Sequence, residues 1–250
     1  ICVDYMHTMT LGIFQRWCLH AIWALVRANA WRIGGHLTQS ERDELSCEHI
    51  RSELHDYYTT LSRTVADITK IPHFSLRTIG GAPGKVLRTK AAETKCLLGF
   101  VVKAIQGRGN GVAYRTALIQ AGTCLQEFDK YVCTLPRRVG SAEAQHMLQL
   151  LKRFAALGDY AGVEGIPKYH LAVHMVVLSP QQGSPMFAAT WKDEALNRVL
   201  AAIAKGAGSA HCEAQVLLRF RAEQRGAPPA SKKQRLHASR RTEQGKATKW

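Results

Sequence analysis

The sequence predicts a mainly α-helical chain. Apolar residues recur at three- and four-residue spacings in successive segments, and glycine, proline or a polar capping residue bounds most of these segments. With 46% of its 250 residues hydrophobic, the chain holds enough apolar surface for one large or two small domains.

The first segment, residues 6–31, carries Met9, Ile13, Trp17, Leu19, Ile22, Trp23 and Val26 on helical spacing and is stopped by Gly34 and Gly35. A second helix is expected from Ser40, with Ser40 and Asp43 as a capping-box-like start, through Leu45, Ile50, Leu54, Tyr57, Leu61 and Val65. Residues 71–90 hold two prolines, four basic residues and the run Gly80-Gly81-Ala82-Pro83-Gly84, and are expected to form a long exposed loop. Helices follow at 91–106 and 112–132, separated by a glycine-rich break and ended by Pro136. Ser141 is expected to cap another, to about 157, with Met147, Leu148, Leu151 and Phe154 as its stripe. After Pro167, residues 168–178 fit helix or strand equally. Helices are then expected at 190–205 and 210–221.

The formal charge of +15 describes a surface that attracts polyanions, most simply phosphate backbones. Nine lysines and arginines stand against two glutamates in residues 221–250, which places seven of the fifteen charges in the last thirty residues. With Pro228 and Pro229 nearby, this segment is expected to be a disordered basic tail on a helical body of residues 1–220. Lys232, Lys233, Arg235, Arg240 and Arg241 are its candidate nucleic-acid contacts. Seven scattered cysteines suit buried thiols in a reducing compartment. No apolar run approaches the ~20 residues that span a bilayer, so no membrane partner is expected. The run Ile1-Cys2-Val3, closed at once by Asp4, reads as the tail of an element cut off upstream, and the chain is treated as a fragment.

Several motifs fail on their chemistry. Gly80 to Lys85 lacks the spacing of a phosphate-binding Walker loop, and Val86 stands where its Ser or Thr belongs. The same glycines have the spacing of a KH loop without its strands. Cys18 with His20, Cys47 with His49, and His211 with Cys212 lack zinc-site spacing. His170 and His174 would share a helical face but lack a metalloprotease glutamate, and are read as structural.

Two segments carry a more specific resemblance. Asp4-Tyr5-Met6-His7, followed by Thr8, Leu11, Gly12 and Phe14, resembles the Asp-x-x-His signature of CACTA-like, Plavaka-type cut-and-paste DNA transposases. About 160 residues on, Pro167-Lys168-Tyr169-His170 with His174 is similar to the Pro-Lys-x-His-x-x-x-His segment of that group. There it precedes a Gly-x-Pro turn, matched by Gly183-Ser184-Pro185, and a helix bearing the third catalytic carboxylate.

The resemblance implies the helical insertion and final helix of a ribonuclease H-like catalytic domain, truncated at its N-terminus. It makes Glu194 the catalytic and metal-binding acid, with Asp193 the alternative, and places Asp4, His7, Lys168, His170 and His174 as motif-associated residues. Both catalytic aspartates would then lie upstream, so this chain alone would be inactive. Three carboxylates would hold Mg²⁺ or Mn²⁺ for in-line displacement at phosphodiesters. DNA is the implied partner and the nucleus, or at least the cell interior, the implied place; whether the chain also self-associates is left open. The rival expectation is a helical nucleic-acid-binding or scaffolding protein with no active site.

Overall fold

The computed structural model describes residues 3–65, 68–82 and 85–190. The chain divides into two units, Ile1–Thr190 and Trp191–Trp250, and the description below concerns the first. The expected helices at 190–205 and 210–221, the tail and the 220/221 boundary lie outside the described residues.

Every regular element among the described residues is helical, so the fold is mainly α. A π-helical segment, Met6–Phe14, runs directly into α1, Gln15–Arg27. Then come α2 (Gln39–Leu61), α3 (Ala91–Arg108), α4 (Arg115–Thr134), α5 (Ser141–Tyr160) and α6 (Pro167–Gln182). Short 3₁₀ turns stand at Gly109–Gly111 and Pro185–Ala188. No described helix is long and apolar enough to cross a membrane.

Four local expectations are corrected. The first helix ends at Arg27 rather than near residue 31. Asn29 takes a positive φ of 48° and bonds the Ile33 backbone twice, accepting at 2.8 Å and donating at 3.0 Å. That local alternative competes with continued helix.

The second helix starts two residues before the expected place. Thr38 accepts from the Glu41 amide, and the Glu41 carboxylate accepts from the Thr38 amide at 2.7 Å. A glutamate reaches back across the turn where the shorter Asp43 would not, so Thr38 takes the cap from Ser40.

Ser141 is the first residue of α5 and not its cap; Gly140 precedes the helix, and Glu143 supplies the favourable charge in its first turn.

The loop at 71–90 is not an exposed excursion. Ile71, Phe74, Ile79 and Leu87 are buried, and the Trp23 indole donates to the Ile79 carbonyl at 3.2 Å. Their spacing follows neither a helix nor a strand, so no pattern announces their burial. Residues 168–178, undecided on pattern, are helical: Pro167 occupies the first turn, and Ala172, Met175, Val176 and Ser179 are buried on one face.

The helices close into a ring. α3 packs on the π-helical segment, α1 and α4; α4 packs on α5, α5 on α6, and α6 returns to the π-helical segment. α2 joins through side chains: Tyr57 meets Phe100 edge-on at 5.8 Å, and the Trp31 indole donates to Glu53 at 3.0 Å. At the centre, fully buried Trp17 of α1 lies against Gly122 of α4, where a Cβ would come within 2.3 Å of the indole. Glycine there admits the largest core side chain, because a close-packed interior has no space for both.

Candidate functional site

The site grows from the N-terminal end of the π-helical segment. Asp4 carries the carboxylate that caps it: one oxygen accepts from the Met6 amide at 3.2 Å, the other from the His7 amide at 3.0 Å and from the His7 ring. The Asp4 carbonyl accepts the first helical bond, from Thr8. This much is local and follows from an aspartate at a helix start.

The same carboxylate also reaches residue 190. It accepts from the Thr190 amide at 3.0 Å and from the Thr190 hydroxyl at 3.1 Å, while that hydroxyl lies 3.4 Å from His7 Nδ1. Asp4 is therefore a tie between two segments 186 residues apart. Burial pushes its pKa upward, but bonds from the His7 ring, the Thr190 amide, the His7 amide and the Thr190 hydroxyl outweigh that and leave the carboxyl below its usual value.

A depressed carboxyl pKa stabilises the fold above the unfolded value and loses that contribution as pH falls through the folded one. The stability advantage of the wild type over Asp4→Asn is expected to be about 1 kcal/mol at pH 7, to decline as pH falls below 3.8, the group's ordinary value, and to be gone at a pH beneath the depressed folded value. Urea unfolding at the two pH values measures this; an equal difference at both would remove the carboxylate charge from the account.

The second motif segment meets the first at the ring closure. Lys168, in the first turn of α6, donates to the Leu11 carbonyl at 3.0 Å across 157 residues. Its stem fills the space a Cβ on Gly12 would need, since that atom would lie 2.5 Å from Lys168 Cδ. Gly12 and Lys168 are complementary: the glycine admits the stem, and the ammonium satisfies a backbone acceptor of the π-helical segment. π-Helical turns are rare and concentrate at functional sites.

His170 and His174 stand on the exposed side of α6, edge to face, with Nε2 atoms 2.9 Å apart. That bond needs one ring to present a hydrogen and the other a lone pair. They make no contact with Asp4 or His7 among the described interactions, so α6 contributes Lys168 to the junction and turns its histidines elsewhere.

Behind Asp4 lies a set of residues the motif did not point to. The Tyr5 hydroxyl donates to Asp129 Oδ1 at 2.8 Å, Lys95 Nζ sits 3.1 Å from Asp129 Oδ2, and the same ammonium lies 3.4 Å from Cys133 Sγ. Burial, then the Asp129 charge, hold the Tyr5 hydroxyl well above its ordinary pKa. Burial pulls Lys95 down, but the charges of Asp129 and Cys133 and the hydrogen bonds to both together outweigh this and raise it. In sequence the only trace is the four-residue step from Asp129 to Cys133 on one helix face.

Glu194 and Asp193 lie outside the described residues, as do Lys232, Lys233, Arg235, Arg240 and Arg241. Among the described residues, no group of three or more His, Cys, Asp or Glu is placed to hold a metal ion. Asp4 is saturated by its hydrogen bonds and does not fit as a ligand for Mg²⁺ or Mn²⁺. The five described cysteines are free, with Cys18, Cys47 and Cys124 buried. Compared with protein-family models, curated proteins and solved structures, the chain matches none.

Proposed function

We propose that this chain is part of a CACTA-like cut-and-paste DNA transposase, or of a protein derived from one. It would supply the helical insertion and the final helix of a ribonuclease H-like catalytic domain, acting on DNA in the nucleus. The observation that carries this reading is the meeting of the two motif segments. Lys168 of the second is bonded to Leu11 beside Gly12 of the first, and Asp4 is bonded to Thr190, four residues before Glu194. Two chance matches 160 residues apart have no reason to share a junction; two parts of one catalytic scaffold do.

On this reading Asp4, His7 and Lys168 are positioning residues, and Glu194 joins two acids from upstream of Asp4. Extending the reading frame upstream tests it directly: two strand segments each ending in an aspartate are required, and their absence would remove the catalytic reading.

The rival, a helical nucleic-acid-binding or scaffolding protein, is favoured by the saturation of Asp4, which behaves as a structural cap. Both readings expect DNA binding that tracks phosphate rather than sequence. Affinity for duplex DNA should fall steeply with salt, by about 0.9 in log K per log unit of salt for each phosphate neutralised. Deleting residues 221–250 should flatten that slope in a fluorescence-anisotropy titration, whereas an unchanged slope would move the contacts onto the body.

A further inference from the structure

α1 presents a second surface that the motif residues do not use. Arg16, His20, Trp23 and Arg27 follow one another at steps of four, three and four residues, which puts them on one face of the helix. That face forms one wall of a cleft of about 640 Å³. The other wall comes from the connection ahead of α4, ending at Tyr114, and from the turn after α5, including Glu164. His20 Nε2 donates to the Ala161 carbonyl at 3.1 Å and so ties the second turn to α1.

Three side chains of this cleft, Tyr114, Arg27 and Arg16, are placed to meet a ligand. Tyr114 has φ 54°, a left-handed conformation that side chains other than Gly, Asn and Asp rarely adopt, yet its ring is 55% exposed and anchors no core. Its neighbour at the edge is another exposed ring, Tyr160, edge-on at 5.2 Å. Arg27 has no carboxylate partner among the described residues, and Arg16, largely buried, is paired only with the exposed carboxylate of Glu164. Aromatic faces beside arginines are the combination that holds a nucleotide chain, with bases on the rings and phosphates on the guanidinium groups.

We propose that this cleft binds single-stranded nucleic acid, stacking an unpaired base on Tyr114 and placing flanking phosphates on Arg27 and Arg16. The strained backbone holds the tyrosine ring out at the cleft edge. Glu164 occupies Arg16 in the free protein and gives way to phosphate when the strand enters. A duplex is excluded from the stacking contact because its base faces are already covered. The inference is independent of the transposase reading: it uses none of Asp4, His7, Lys168 or Glu194, and holds equally for a non-catalytic nucleic-acid binder.

The test uses the full chain, with a labelled 15-residue thymidine strand, the same strand annealed in a duplex, and a uridine strand of equal length to show which sugar is preferred. Tyr114→Gly relieves the left-handed strain while removing the ring, so it should keep its helical circular dichroism and thermal midpoint and lose about tenfold or more in single-strand affinity. Tyr114→Phe should bind as the wild type. Arg27→Gln should weaken single-strand binding severalfold, and Glu164→Gln, which frees Arg16, should strengthen it, an outcome no folding defect produces. Wild-type affinity in Tyr114→Gly, an equal loss on duplex, or no gain in Glu164→Gln would each overturn the proposal.

Discussion

On the transposase reading, Glu194→Gln in the complete protein is expected to lower transposon excision about a thousandfold or more, with Asp193→Asn costing far less. Glutamine keeps the size of the side chain and removes only the charge that would hold a divalent cation. Losing one ligand from a two-metal centre forfeits several kcal/mol of transition-state stabilisation, and each ~1.4 kcal/mol is tenfold in rate. The ordinary alternative, a surface glutamate in an exposed ion pair, contributes about half a kcal/mol to stability and nothing to chemistry. The bond from Asp4 to Thr190 ties the chain just ahead of this acid to the first motif. An excision assay on both variants decides the matter. Near-normal activity of Glu194→Gln would leave the non-catalytic reading standing.

Asp129→Ala should destabilise the fold by about 3 kcal/mol. It leaves the buried Tyr5 hydroxyl without an acceptor, at about 1–3 kcal/mol, and strips a part-exposed Lys95 of its charge partner at a further cost near 1 kcal/mol. For a chain of this size that lowers the thermal midpoint by roughly 10 °C. Tyr5→Phe removes the donor together with its need, and should cost only about 1 kcal/mol. The double variant should therefore be more stable than the sum of the two singles implies, since a phenyl ring without the hydroxyl no longer needs Asp129. Strict additivity in urea unfolding would show that Tyr5 and Asp129 do not depend on each other. Because Tyr5 follows Asp4 directly, this network also fixes the orientation of the first motif against α3 and α4.

Several of these residues were visible in the sequence, and the reason is that their signals are local. Periodic apolar spacing placed α1 to α5 within a few residues, because a helix repeats its burial every turn. Asp4, an acid standing just ahead of a helical apolar run, is of the residue type that caps a helix, and it does so. Glycine and proline marked the breaks, and the charge of the last thirty residues was plain from composition. Local competition hid other details: Thr38 displaced Ser40 because Glu41 is long enough to close the capping box, and Asn29 ended α1 early by bonding the Ile33 backbone.

By itself, then, the sequence determined the helical class, most of the helix limits, the positive charge and the two short segments whose resemblance suggests transposition. Only the tertiary structure decided that those segments touch, that residues 71–90 fold inward, that Tyr5 leans on Asp129, and that Arg16, Arg27 and Tyr114 face one cleft. The physical reason is the closing of the ring. Contacts such as Lys168 with Leu11, or Asp4 with Thr190, join residues with no periodic relation to each other, and they exist only once the π-helical segment and α6 pack together at its seam.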